Sequence, residues 1–207
     1  MKIEADFKAA LAELPEKEKD KLIVRLLRKD KVLLQKLHFE LVSANTVEDE
    51  RNLLAERIIQ NLKNPRIVAN YHDWMREMRT LSGAITLHLK VTGDKVGEVS
   101  LTILLLQTVL AENSERIHKL TPKNALKIAK YLTGKLYKVV VLIQALHEDL
   151  RIEFNEELEE LGKMWQNSDY FLRYSNTAGC QIEWFLEGEF PDNVKERMAA
   201  ARKRGEV

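Results

Sequence analysis

With 207 residues, 45% of them apolar and 31% charged, the chain is long enough to bury a substantial core and too apolar to be disordered. A formal net charge of +1 provides no overall field toward nucleic acid or membrane, and the single Cys180 excludes an internal disulfide framework or a multi-cysteine zinc site. Only 8 Gly and 4 Pro leave few breaks, which favours helices over a turn-rich β fold.

Ile3 to Leu14 reads as a short amphipathic helix with Phe7, Leu11 and Leu14 on one face. Pro15 suits the start of a second helix, carrying Leu22, Val24, Leu26 and Leu27. Asp30 is placed to cap a third, with Val32, Leu33, Leu34, Leu37, Phe39, Leu41 and Val42. Short helices joined by one- to three-residue turns make antiparallel hairpins, the architecture with which helical-repeat proteins begin. Thr46 with Asp49 three residues on predicts a capping box, opening a helix through Leu53, Leu54, Ile58, Ile59 and Leu62. Asn64-Pro65 ends that helix and opens another. Its series Ile67, Tyr71, Trp74, Met78, Leu81, Ile85 alternates steps of four and three, and Gly83 or Gly93 closes it.

Residues 85–103 read two ways. Ile85 to Val91 and Val99 to Ile103 alternate strictly around Gly93-Asp94, as a β-hairpin does. Val96, Val99, Ile103, Leu106 and Leu110 form an equally good helical stripe, and a lone hairpin has nothing else to pair with. Helix–loop–helix is preferred.

Thr121 to Leu150 is expected to be the central helix, a continuous rod. Thr121 sits at its N-cap, Pro122 at its first position, and the stripe Ala125, Ala129, Leu132, Leu136, Val139, Ile143, Leu146, Leu150 runs along it. The helical pattern continues from Asp149 to Trp165. Seven of the 14 aromatic residues then fall within Trp165 to Phe190, as in a segment folded back onto the helices. Asp192 is read as the cap of a last helix through Val194 and Met198, with a frayed tail from Arg202 to Val207.

Charge segregation is the sharpest feature. Arg116 to Lys138 holds seven basic residues and no acid, while Glu148 to Glu160 holds seven acids against Arg151 alone. Lys123, Lys127, Lys130 and Lys138 share the polar side of the central helix, with Tyr131 and Tyr137 nearby. Such a face can follow a phosphate backbone while rings stack on bases. Six lysines against one arginine argue for loose binding rather than sequence readout. A solvated face, or pairing with the acidic stripe of a neighbour or a second copy, accounts for the same residues.

Sequence signals for catalysis are thin. Glu115-x-x-His118 has metal-ligand spacing, but the one further copy, Gln144-x-x-His147, lacks the carboxylate. Glu156-Glu157-x-x-Glu160 with Glu189-x-x-Asp192 loosely resembles the Mg²⁺-holding carboxylates of all-α nucleoside triphosphate pyrophosphohydrolases, though Pro191 interrupts the second element. No phosphate loop, dinucleotide fingerprint or nucleophile elbow occurs. Cys180 lies among apolar neighbours, where burial makes a thiol inert. His72, beside Asp73 and Trp74, reads as a half-exposed or hydrogen-bonded histidine.

The sequence thus predicts an all-α multi-helix bundle, a single domain over 1–207, with hairpins in 1–64 and a bundle with an aromatic-rich end in 65–207. It predicts a cytoplasmic, non-enzymatic protein–protein interaction or scaffold module, with no cofactor, no metal and no membrane contact, bound on exposed helix faces or in the groove between hairpins and bundle. Weak nucleic-acid binding through Lys123, Lys127, Lys130, Lys138 and Tyr131 is the first alternative, a metal-dependent nucleotide hydrolase the second. Self-association of the complementary stripes is a further expectation.

Overall fold

The structure, a computed structural model, describes residues 4–207; for Asn113, Ser114, Glu115 and His118 it describes the backbone alone. The described residues form thirteen helices and no strand, so the chain is all-α. No helix among them is long and apolar enough to cross a membrane.

The first three helices, α1 (Ala5–Glu13), α2 (Glu16–Leu27) and α3 (Lys31–Leu41), form an arm that buries none of its residues. Asp30 caps α3 as its position predicts, accepting from the N–H groups of Val32 and Leu33 at 3.0 Å. Next, α4 (Val47–Lys63) opens on a complete capping box: Thr46 Oγ1 accepts from Asp49 N, and Asp49 Oδ2 accepts from Thr46 N. The helix expected from Pro65 onward is broken. A single turn, α5 (Pro65–Val68), precedes α6 (Tyr71–Thr92), because Asn70 caps a new start by accepting from His72 N. Of the two glycines expected to close it, Gly93 does so, in the left-handed region at φ 76°.

No hairpin forms at 85–103; α6 runs to Thr92 and α7 (Lys95–His118) begins just past the turn. The physical reason is burial on every side. Leu101, Thr102, Ile103, Leu105, Leu106, Val109 and Leu110 are all buried, so the apolar run that imitates a strand is a helix enclosed by others. Its partners are α4, α6, α8 (Pro122–Gln144) and α10 (Asn155–Gln166). Helix α7, and not 121–150, is therefore the element the bundle is built around. Each of the leucine, isoleucine and valine side chains contributes about 1.5–3 kcal/mol on burial.

The expected rod over 121–150 also ends early. Arg151 turns back and donates from Nη2 to Gln144 O at 2.8 Å and from Nε to Leu146 O at 3.0 Å, satisfying carbonyls at the end of α8. His147 then takes an extended conformation and α9 (Glu148–Ile152) starts afresh. The predicted stripe is otherwise where the sequence puts it, buried from Ala125 to Ile143. Thr121 stands at the N-cap but its side chain accepts no hydrogen bond.

The aromatic segment folds back through α11 (Asp169–Thr177), α12 (Glu183–Glu187) and α13 (Val194–Lys203). Trp165 donates to Ser175 Oγ at 3.2 Å, and Tyr137, buried in α8, donates to Ala178 O at 2.8 Å. Asn193, not Asp192, stands at the start of α13. The tail is held rather than frayed: Tyr174 donates to Glu206 O at 2.8 Å, and Glu206 N donates to Ala201 O at 2.9 Å.

One buried charge network ties the bundle together. Asp94 caps α7 by accepting from Gly97 N at 2.7 Å, and takes Arg51 of α4 in a bidentate pair at 2.7 and 2.9 Å. His88 Nε2 of α6 reaches the same carboxylate at 3.0 Å. A Cβ on Gly97 would fall inside the Asp94 carboxylate and 2.8 Å from Arg51 Nε, so this position has room for hydrogen only. Burial pushes the Asp94 carboxyl up, and the hydrogen bonds from Arg51, Gly97 N–H and His88 outweigh it, holding it below its ordinary value.

Candidate anion-binding cleft

A cleft of about 920 Å³ opens between α6, α8 and the end of the chain. Its cations come from three places: Arg76 and Arg79 from α6, Lys127, Lys130, Lys135 and Lys138 from α8, and Arg202 from α13. Among the described residues, no aspartate or glutamate side chain lines it. Local sequence explains the convergence. Arg76 and Arg79 are three residues apart on the polar side of α6, whose other side buries Trp74, Met75, Met78 and Leu81. Residues 127, 130, 131, 134, 135 and 138 follow the same three-and-four spacing along α8.

Two of the seven cations are already paired. Lys138 Nζ lies 2.8 Å from Glu98, a nearly buried carboxylate of α7, and Arg76 meets Asp73 at 2.8 Å on the surface. Arg79, Lys127, Lys130, Lys135 and Arg202 make no ion pair among the described residues. Lys135 is half-buried, with Nζ 5.2 Å from the centre of the Tyr131 ring. Burial, with Lys138 beside it, depresses its amine to about 8.

Tyr131 is fixed on the floor. It donates to Met78 O at 2.9 Å, so the 2.6 Å contact with Ser82 Oγ has the serine as donor. Burial raises its phenol, against which the Ser82 bond works. Tyr71 and His72 sit at the mouth with ring centres 5.1 Å apart, edge to face. Val207 lines the same cleft, its Cβ close to the Gly134 backbone.

Of the residues the sequence singled out, Lys127, Lys130, Tyr131 and Lys138 are brought together here. Lys123 is exposed on the first turn of α8, outside the cleft lining, and the amine of Lys138 is diverted into the ion pair with Glu98. Arg76, Arg79 and Arg202 were not singled out. The only local signal was the arginine spacing on α6, and nothing in it pointed to α8. Within the chain the acidic stripe does not pair with this face: Lys138 with Glu98 is the one ion pair a lysine of α8 makes among the described residues.

The other candidates fare less well. Glu189 to Asp192 is not helical, so the facing-helix carboxylate arrangement is absent, and no metal-binding cluster of three or more side chains occurs among the described residues. The side chains of Glu115 and His118 lie outside the described residues. Cys180 is fully buried, which raises its thiol far above the ordinary value. His72 is exposed at the cleft mouth.

Comparison with known protein families, curated proteins and solved structures finds no match to this chain.

Proposed function

We propose that the cleft binds single-stranded nucleic acid along its backbone, without sequence preference. One observation carries the reading: cations from three separate helices meet in one concavity lined by no aspartate or glutamate among the described residues, and five of the seven make no ion pair there. Water-exposed amines and guanidiniums without acidic partners are where phosphates gain most, by releasing condensed counterions. The rings of Tyr71 and His72 at the mouth offer flat surfaces for unstacked bases, while a concave site between helices suits one strand better than a duplex. Lysine and arginine reaching only the backbone would position a strand without reading it.

Fluorescence anisotropy of a labelled oligothymidylate tests this directly. Saturable binding at low salt, lost when Arg79→Glu and Lys130→Glu are combined, is the expected result. Equal binding by wild type and the double variant rejects the cleft as the site.

A second reading, docking of a protein partner on the arm, rests on a different observation. Phe7, Ile23, Val24, Leu26, Leu33, Leu34, Leu41 and, just past α3, Val42 are each between 40% and 78% exposed, a density of apolar surface that marks interaction sites. Cross-linking in cell extract should give links from Lys8, Lys21 or Lys31 to another protein. Links confined to this chain would remove the idea.

A further inference from the structure

A second concavity, of about 580 Å³, lies between the arm and the bundle, where α3, α4 and α6 meet. It is the groove the sequence suggested between hairpins and bundle, and its chemistry differs from the basic cleft. Phe39, Leu53, Leu54, Leu87 and Val91 line its walls, none of them fully buried, and Leu53 is 55% exposed. The polar rim is partly spent on itself, since Asn45 Nδ2 donates to Glu50 Oε1 at 2.9 Å and Asn45 N donates to Ser43 Oγ at 3.1 Å.

The floor carries one polar group with capacity to spare. The His88 side chain is 5% exposed and lines the groove, with Nε2 held 3.0 Å from Asp94. A carboxylate accepts only, so in the neutral ring the proton stands on Nε2 and the lone pair on Nδ1. Nδ1 meets no protein group among the described residues. Arg51 already compensates the Asp94 charge, so the His88 end of the groove asks for a neutral donor.

We infer that this groove is a small-molecule site for a neutral, largely aromatic or alicyclic compound whose single hydroxyl or N–H donates to His88 Nδ1. The volume falls within the range of sites that enclose such ligands; Gln35, His38, Asn45 and Arg57 are exposed at the rim, while the apolar side chains and the buried His88 ring form the interior an occupant would meet. The inference is independent of the basic cleft, sharing no residue with it.

The test is a titration of the full chain with 2-naphthol and with 2-methoxynaphthalene, followed by the ring resonances of the five histidines. The expected result is binding of 2-naphthol that shifts the His88 signals and is about fivefold tighter than that of the methyl ether, the size of one net hydrogen bond. Leu53→Arg, at an exposed wall position with no core role, should abolish both. Equal affinity for the two compounds, unmoved His88 signals, binding that survives Leu53→Arg, or no binding at millimolar concentration would each overturn the assignment.

Discussion

Replacing Asp94 by alanine removes four interactions at once: the bidentate pair with Arg51, the bond from His88 and the cap on Gly97 N. The Asp94 side chain is 4% exposed, so the groups it leaves behind face a site with little water. Breaking a buried pair by deleting one partner costs about 3–5 kcal/mol. The Arg51 side chain is 31% exposed and its guanidinium can turn toward solvent, which puts the expected loss at the lower end, about 3 kcal/mol. Asp94→Asn keeps an acceptor for the Gly97 N–H but gives up the charge, so it should fall between wild type and alanine. Urea denaturation at neutral pH measures all three. The pH dependence supplies an independent check. The folded carboxyl titrates below its unfolded value, so its contribution is complete at neutral pH and fades as the pH falls below about 4. The gap between wild type and Asp94→Ala should therefore narrow in acid. A loss under about 1 kcal/mol, the value of an exposed pair, or a gap that does not change with pH would refute the reasoning.

Four further outcomes follow from the same structure. With five unpaired cations in the cleft, log affinity for a single strand should fall against log salt with a slope of about −3.5, and Arg79→Gln should reduce that slope by about 0.7; a flat dependence in anisotropy titrations contradicts it. Because the Lys135 amine sits at about 8, oligonucleotide affinity should weaken between neutral pH and pH above 8 as that charge is lost, and Lys135→Arg should remove the pH dependence. Thr133 is fully buried and its Oγ1 has no hydrogen-bond partner, so Thr133→Val should raise stability by about 1 kcal/mol in chemical denaturation; destabilisation would mean that the hydroxyl is satisfied after all. Deleting residues 1–29 removes α1 and α2, which bury nothing, so the rest of the chain should keep its helical circular dichroism and its melting midpoint within a few degrees.

What could be read from the sequence was local. Asp30, the Thr46–Asp49 box and Asn64-Pro65 mark helix ends because a cap is decided within three or four residues. The stripe on α8 was equally legible, since one side of that helix meets the core and the other meets water. Helix α7 was not, for the opposite reason: a helix covered on all sides carries no period, and its apolar run fits a strand as well. The break after Gln144 depends on Arg151 reaching back to two carbonyls, a contact that spacing alone does not announce. The cleft was half legible. Lys127, Lys130 and Tyr131 came from one helix, whereas Arg79 and Arg202 join them only through tertiary packing. Glu98 was hidden in the ambiguous stretch, so its capture of Lys138 could not be foreseen.

Mapping backbone amide shifts by NMR while an unlabelled oligothymidylate is added tests the central claim most directly. Binding in the cleft predicts that the perturbed residues gather at 71–80, 127–138 and 198–207, three segments distant in sequence that meet at that concavity. Perturbations spread over the acidic stretch 148–160 or along the arm, or none at all at low salt, would contradict it.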